Sequence, residues 1–141
     1  MEIDINLSQF HDIFFEESFE GIEIMESELL NLSPGTADKE IINTIFRAAH
    51  SIKGSAGTFG FSEISDFTHN METVLDKMRN DELGITQQLI SALLSAVDSL
   101  NNMLISHREA RPYDITLVEN VSAQLEKLTP HTSTDTPPVK Q

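Results

Sequence analysis

The sequence contains no cysteine. That absence excludes disulfides, thiolate metal sites and thiol catalysis together. Long apolar runs are missing too: nowhere do the roughly 18 consecutive apolar residues of a membrane span occur. The first residues, Met1-Glu2-Ile3-Asp4, are acidic where a secretory leader would be basic and then apolar. The expectation is therefore no leader and a cytoplasmic location. Strand signals are nearly absent, because no run alternates apolar and polar residues over more than a few positions. Basic residues are scarce: nine Lys and Arg stand against 23 Asp and Glu, for a net charge of −14. Such a surface repels phosphate backbones and anionic lipid, which argues against nucleic-acid binding and direct membrane insertion. None of the five histidines has a glutamate three residues before it, so the paired Glu-x-x-His motifs of di-iron bundles are lacking and no metal is expected.

What is present is helical periodicity. The 141 residues fit one domain and a short tail. A first helix is expected from about Ser8, as its cap, to Asn31, with Asp12 in the first turn. Phe10, Phe14, Phe15, Ile22, Met25 and Leu29 form its apolar side, opposite Asp12, Glu16, Glu20 and Glu23. Pro34-Gly35 breaks the chain. Asp38 caps a second helix, 39–58, which Gly60 ends. Ser62 caps a third, 63–80, and Thr86 a fourth, 87–107. After Pro112 a fifth helix fits 115–128, with Val118, Val121, Leu125 and Leu128 on one stripe. The final TPHTSTDTPPVKQ offers little to bury, so 129–141 reads as a flexible linker toward missing downstream domains. Long helices with short connections pack antiparallel. The expected fold is all-α: an antiparallel up-down four-helix bundle, residues 1–128, with an additional fifth C-terminal helix docked on its side.

The second helix carries the chemistry. At 100° per residue, Ile41, Ile45, Ala49, Ile52, Ala56 and Phe59 fall within an arc of about 80°, the core face. His50 lies about 130° from the centre of that arc and points to solvent. Gly54 and Gly57 share its side. Each costs a helix interior about 0.8–1 kcal/mol relative to alanine, and bare backbone there clears an approach to the imidazole. A fraying helix end or a tight helix contact is the alternative reading. From Lys39 to Gly60 three cations, Lys39, Arg47 and Lys53, oppose the single acid Glu40. Arg47 and Lys53, one turn either side of His50, would offset the charge of a phosphoryl group, although a solvated stripe would look the same. A histidine ring is largely neutral and nucleophilic near pH 7. On the third helix Ile64, Phe67, Met71, Val74, Leu75 and Met78 form the apolar stripe. His69 and Glu72, spaced i,i+3, lie off its centre, where an antiparallel neighbour could bring either beside His50. A carboxylate accepting one ring N–H would leave the other nitrogen free to attack. An ordinary surface pair is the alternative. His11, His107 and His131 read as solvated.

The string Ala49-His50-Ser51-Ile52-Lys53-Gly54-Ser55-Ala56-Gly57-Thr58-Phe59-Gly60 resembles the phosphoacceptor motif of histidine phosphotransfer (HPt) domains, in particular the N-terminal HPt domain of the chemotaxis kinase CheA. Ile45-Phe46-Arg47-Ala48 before it, Phe61 after it and Thr68-His69-Asn70-Met71-Glu72 downstream extend the likeness. It reaches from near Met1, through Phe14-Phe15-Glu16-Glu17, to about Leu128. The resemblance implies that His50 is the phosphorylated residue, through Nε2. It makes Lys53 the lysine beside the phosphoryl site and Glu72 the carboxylate holding the ring. His69 joins the same network, and Gly54 and Gly57, with Arg47 nearby, face the partners. Ser55 departs from the glycine that many chemotaxis members carry there, off the His50 side. The resemblance further implies a carrier and not an enzyme. Phosphate would come from ATP, with Mg2+, on a separate kinase catalytic domain of the parent. It would pass to an aspartate of response regulators of the CheY and CheB type. No glycine-rich ATP signature occurs in this chain, so no cofactor is expected within it. An HPt module of another hybrid kinase, a free-standing phosphorelay protein and a docking or metal-binding bundle are the rival readings.

Overall fold

Five helices account for the secondary structure of residues 2–129, the part that this computed structural model describes, with side chains from Ser8 onward. They are α1 (Glu2–Asn31), α2 (Lys39–Thr58), α3 (Ser62–Arg79), α4 (Gln87–Glu109) and α5 (Ile115–Leu128). Three starts are fixed by side-chain caps. Asp38 accepts from the amides of Glu40 and Ile41 at 3.1 and 3.2 Å. Thr86 accepts from Leu89 N at 3.0 Å, and Asp114 from Leu117 N at 3.1 Å.

Two expected starts are wrong. α1 begins at Glu2, so Ser8 is interior and Asp12 is not in the first turn. Nothing in the sequence of 2–7 breaks a helix. Ser62 is the first residue of α3 and not its cap; Phe61 holds the cap position with no side-chain hydrogen bond. Phe61 instead enters an aromatic group, stacking on Phe14 at 5.0 Å with Phe15 at 5.4 Å. Gly60, at φ +85°, makes the left-handed reversal that puts it there.

The core forms along seams stepping by three and four residues. On α2 these are Ile42, Ile45, Ala49, Ile52 and Ala56, all buried. Ile42, not the expected Ile41, begins the seam; Ile41 and Phe59 are half-buried. The α3 stripe is buried as expected, and so are Leu89, Ile90, Leu93, Val97, Leu100 and Leu104 of α4. α4 is long and apolar enough to cross a membrane by length and composition alone, but its apolar positions fill this core. On α1 five of the six expected core residues are buried. Phe10 is 52% exposed and lies flat against Phe59.

Helix neighbours run in a cycle: α1 beside α2, α2 beside α3, α3 beside α4, and α4 back beside α1, with no close backbone approach across either diagonal among the described residues. Cross-helix pairs show the directions. His50 meets Glu72, while Lys39 meets Asp81, so α2 and α3 are antiparallel. Phe14 meets Phe59, while a Cβ on Gly21 would touch Ile52, so α1 and α2 are too. α5 lies on α3 and α4, buries Val121 and Leu125, and half-buries Val118 and Leu128. This is the up-down four-helix bundle with a fifth helix on its side. Thr129, expected in the linker, is buried and donates its hydroxyl to Leu125 O at 3.0 Å. The rest of that linker, with His131, lies outside the described residues. His11 and His107 are not free in solvent as expected. Both rings pack against Phe61, at 5.0 and 5.5 Å.

Candidate functional site

The antiparallel register of α2 on α3 decides what surrounds His50. Its side chain is 63% exposed, as the helical wheel requires. Its Nδ1 is hydrogen-bonded to Glu72 Oε2. Lys53, one turn further along α2, donates from Nζ to Glu72 Oε1 at 2.5 Å. Glu72 thus uses both oxygens across the α2–α3 seam. The alternative of an ordinary surface pair does not hold for it, because the residue is 7% exposed. Its position one residue beyond core Met71 places it at the edge of the stripe, where the side chains of His50 and Lys53 on α2 meet it.

Burial alone would raise the pKa of this carboxyl. The hydrogen bonds and charges of Lys53 and His50 outweigh that and hold it below its ordinary value. Glu72 is therefore an ionised carboxylate that can only accept. The imidazole must give it the Nδ1 proton, and in the neutral ring the lone pair then sits on Nε2, the nitrogen turned away from Glu72. The site consequently presents an oriented nucleophile with a lysine one turn away.

His69 is near this group but not bonded within it. Its Nδ1 lies 3.7 Å from Glu72 Oε1, beyond hydrogen-bonding distance, and its side chain is 63% exposed. Arg47 stands apart. It lines a separate groove of about 420 Å³ between α1 and α2 with Gly21, Ala48, Ser51 and Ser55, whereas His50, Lys53, Glu72 and His69 share a hollow of about 410 Å³ over α2 and α3. Gly54 is exposed, and a Cβ there would meet nothing within 4 Å. At Gly57 a Cβ would make an ordinary 3.6 Å contact with Ser65 Oγ. Packing within the chain therefore gives no reason for glycine at 54, while Gly57 sits in the last turn of α2.

A second layer backs the site, formed by side chains the sequence motif does not single out. The Phe46 ring lies parallel to the His50 imidazole, 5.9 Å between centroids and 8° between planes. The Arg79 guanidinium covers the Phe46 ring at 3.9 Å. Arg79 is in turn held by Asp76 Oδ1, at 3.2 Å from Nε and 2.9 Å from Nη2. Phe46 had a readable signal, since it lies four residues before His50 on the same helix face. Arg79 had none, because only the helix register brings it there. Among the described residues no group of His, Cys, Asp or Glu could hold a metal ion.

An exposed imidazole, oriented by a buried carboxylate on an all-helical bundle, defines a histidine phosphotransfer module. The chain belongs to the Hpt domain family, whose sequence profile matches residues 9–103, and to its CheA branch. Chemotaxis protein CheA of Salmonella typhimurium is 36% identical over 136 residues, 96% of this chain but 20% of that protein. The chain thus spans about a fifth of the length of this curated relative. The solved CheA phosphotransferase domain from Thermotoga maritima is 37% identical with a TM-score of 0.65, covering 70% of this chain and 93% of that one. The fold is also that of the phosphorylated P1 domain of CheA3 from R. sphaeroides, solved in complex with CheY6, with a TM-score of 0.75 at 23% identity over 84% of this chain and 94% of that one.

Proposed function

We propose that His50 accepts a phosphoryl group on Nε2 and hands it on, so that this domain is the phosphoryl carrier of a longer chemotaxis kinase. The observation that carries this reading is the ring's orientation: Nδ1 is occupied by buried Glu72 while the other edge of an exposed imidazole stays free. In the first transfer Nε2 attacks the γ-phosphorus of ATP held, with Mg2+, on a separate kinase domain. The N–P bond forms as the bond to the bridging oxygen breaks, and ADP leaves. In the second, an aspartate oxygen of a response regulator attacks phosphorus and the electron pair of the N–P bond returns to the ring.

Lys53 lies one turn from the acceptor, where its charge can offset the incoming phosphoryl oxygens. Glu72 holds the tautomer throughout. His69 stands at the rim of the hollow, within reach of a bound phosphoryl group and of a partner. Gly54 and Gly57 leave the approach low, and Arg47 with the α1–α2 groove offers a contact surface beside it. Regulators of the CheY and CheB type are the proposed acceptors, in keeping with the CheY6 complex of the CheA3 relative. The cytoplasm is the proposed location.

Incubation of the domain with the parent's kinase core and radiolabelled ATP tests the reading. Label should appear that is lost in mild acid, and His50→Gln should carry none. Full labelling of His50→Gln would overturn it.

A further inference from the structure

The hydrogen bond from Nδ1 to Glu72 pins one point of the His50 ring. It does not by itself fix the plane of the ring, because rotation about the line through that bond swings Nε2 through an arc. What stands against the face of the ring is Phe46, 8° from parallel. Offset parallel rings at this separation attract. Phe46 is itself covered on its π-face by the Arg79 guanidinium at 3.9 Å, a cation–π contact. Two nitrogens of Arg79 are held by Asp76, and its own carbonyl oxygen accepts from Lys39 Nζ at 2.6 Å. Nη1 also reaches Asn43 Oδ1, at 3.4 Å. Arg79 does not line the hollow that His50 shares with Lys53 and Glu72, whereas Phe46 does. Phe46, covered by the guanidinium and stacked on the imidazole, is the packed link from Arg79 to the acceptor ring; Asp76, the guanidinium's carboxylate partner, lines the hollow as well.

We propose that Arg79, acting through Phe46, is a positioning residue for His50: the stack sets the plane of the imidazole so that Nε2 meets phosphorus along its lone pair. This rests on the reading of His50 as the acceptor. The sequence carries the two parts on different helices, and α2–α3 register assembles them. The tie to Asp76 and Lys39 links the acceptor's orientation to the α3–α4 turn, where Lys39 also meets Asp81 at 2.9 Å.

The test has two arms. In the first, proton NMR of the unphosphorylated domain follows the His50 Cδ2 and Cε1 hydrogens, which feel the ring current of Phe46. Arg79→Gln should move both toward their positions in Phe46→Leu, and Phe46→Tyr should restore them. In the second, phosphoramidate serves as a donor too small to need a docking surface. Phe46→Leu and Arg79→Gln should each slow labelling roughly tenfold, the scale set by small misplacements of a reacting group. The double variant should be no slower than either single one, and Phe46→Tyr should label at the parent rate. Unchanged resonances in Arg79→Gln, parental rates in both single variants, or additive losses in the double variant would each overturn the proposal. Thermal melts of every variant separate slow chemistry from unfolding. If His50→Gln labels as fully as the parent, the acceptor reading fails; if it is unlabelled while Arg79→Gln is parental in both arms, only the positioning role fails.

Discussion

Glu72 answers His50 with one oxygen and Lys53 with the other, inside a largely closed seam. From the sequence Glu72 lies off the centre of the α3 stripe, where a carboxylate can be removed at little cost to folding. Its burial reverses that expectation. Glu72→Ala leaves a half-buried lysine and an imidazole N–H without an acceptor, so it should cost about 1–3 kcal/mol of unfolding free energy as well as slow phosphorylation. Denaturant melts at pH 7 measure the first effect. The pH dependence has a definite sign. The folded pKa of Glu72 is lowered, so its stabilisation is present above the ordinary carboxylate range and is lost as pH falls through the folded value. Glu72→Gln should therefore flatten the acid limb of the stability curve. An acid limb identical to the parent's would show that the carboxylate contributes nothing to folding. At this scale the exposure of His50 and the place of Lys53 one turn away were legible, because helical geometry on α2 fixes both. Burial of Glu72 was not, because a residue at the edge of a stripe is covered or left open by its neighbour helix.

Among the elements, α2 and α5 could be delimited from the sequence, each between a good start and a clear stop: Asp38 to Gly60 for α2, Pro112 to the proline-rich tail for α5. The heads of α1 and α3 could not. At α1 a capping serine lay inside a sequence already able to continue the helix, and at α3 packing of Phe61 replaced a cap. How firmly α5 docks was equally hidden, since its stripe names an apolar face but no surface to receive it. Tyr113, just before α5, supplies part of the answer by donating to Glu63 of α3 at 2.8 Å. Burial and the Glu63 charge push the Tyr113 hydroxyl up to about 12. A raised folded pKa means that this contribution is full below the ordinary value of about 10 and is lost as pH rises through about 12. Tyr113→Phe should thus lose part of the alkaline decline in stability that the parent shows, as read by melts between neutral and strongly alkaline pH. Deeper in the same interface Leu125 is 1% exposed, and Leu125→Ala should cost about 2–5 kcal/mol. His50 lies on α2, whose backbone does not come close to that of α5 among the described residues, so its NMR resonances should not move in that variant.

For the molecule as a whole, charge is the dominant feature. The chain carries −14, and α1 contributes acids without a single Lys or Arg along its length. Self-repulsion of this kind weakens the compact state and is relieved by salt, whose screening length falls from about 30 Å at 0.01 M to about 8 Å at 0.15 M. The melting temperature should rise over that range of sodium chloride, most steeply at its low end. A flat response would mean that the acids are spaced too widely to matter. Fold class was readable at this scale because the apolar periods are helical throughout and the connections are short. The register between helices was not, and it alone brings Arg79 over Phe46 and Glu72 under His50.

The empty space over Gly54 sets two kinds of fitness against each other. Alanine fits there without contact and removes the helix penalty of glycine, about 0.8–1 kcal/mol. A laboratory selection for heat resistance would therefore reach Gly54→Ala early and keep it. Under the proposed carrier role, a selection for phosphoryl transfer would discard it if the added methyl obstructs a protein docking onto His50. The glycine then persists as a toll on folding levied by an encounter that the isolated domain never experiences.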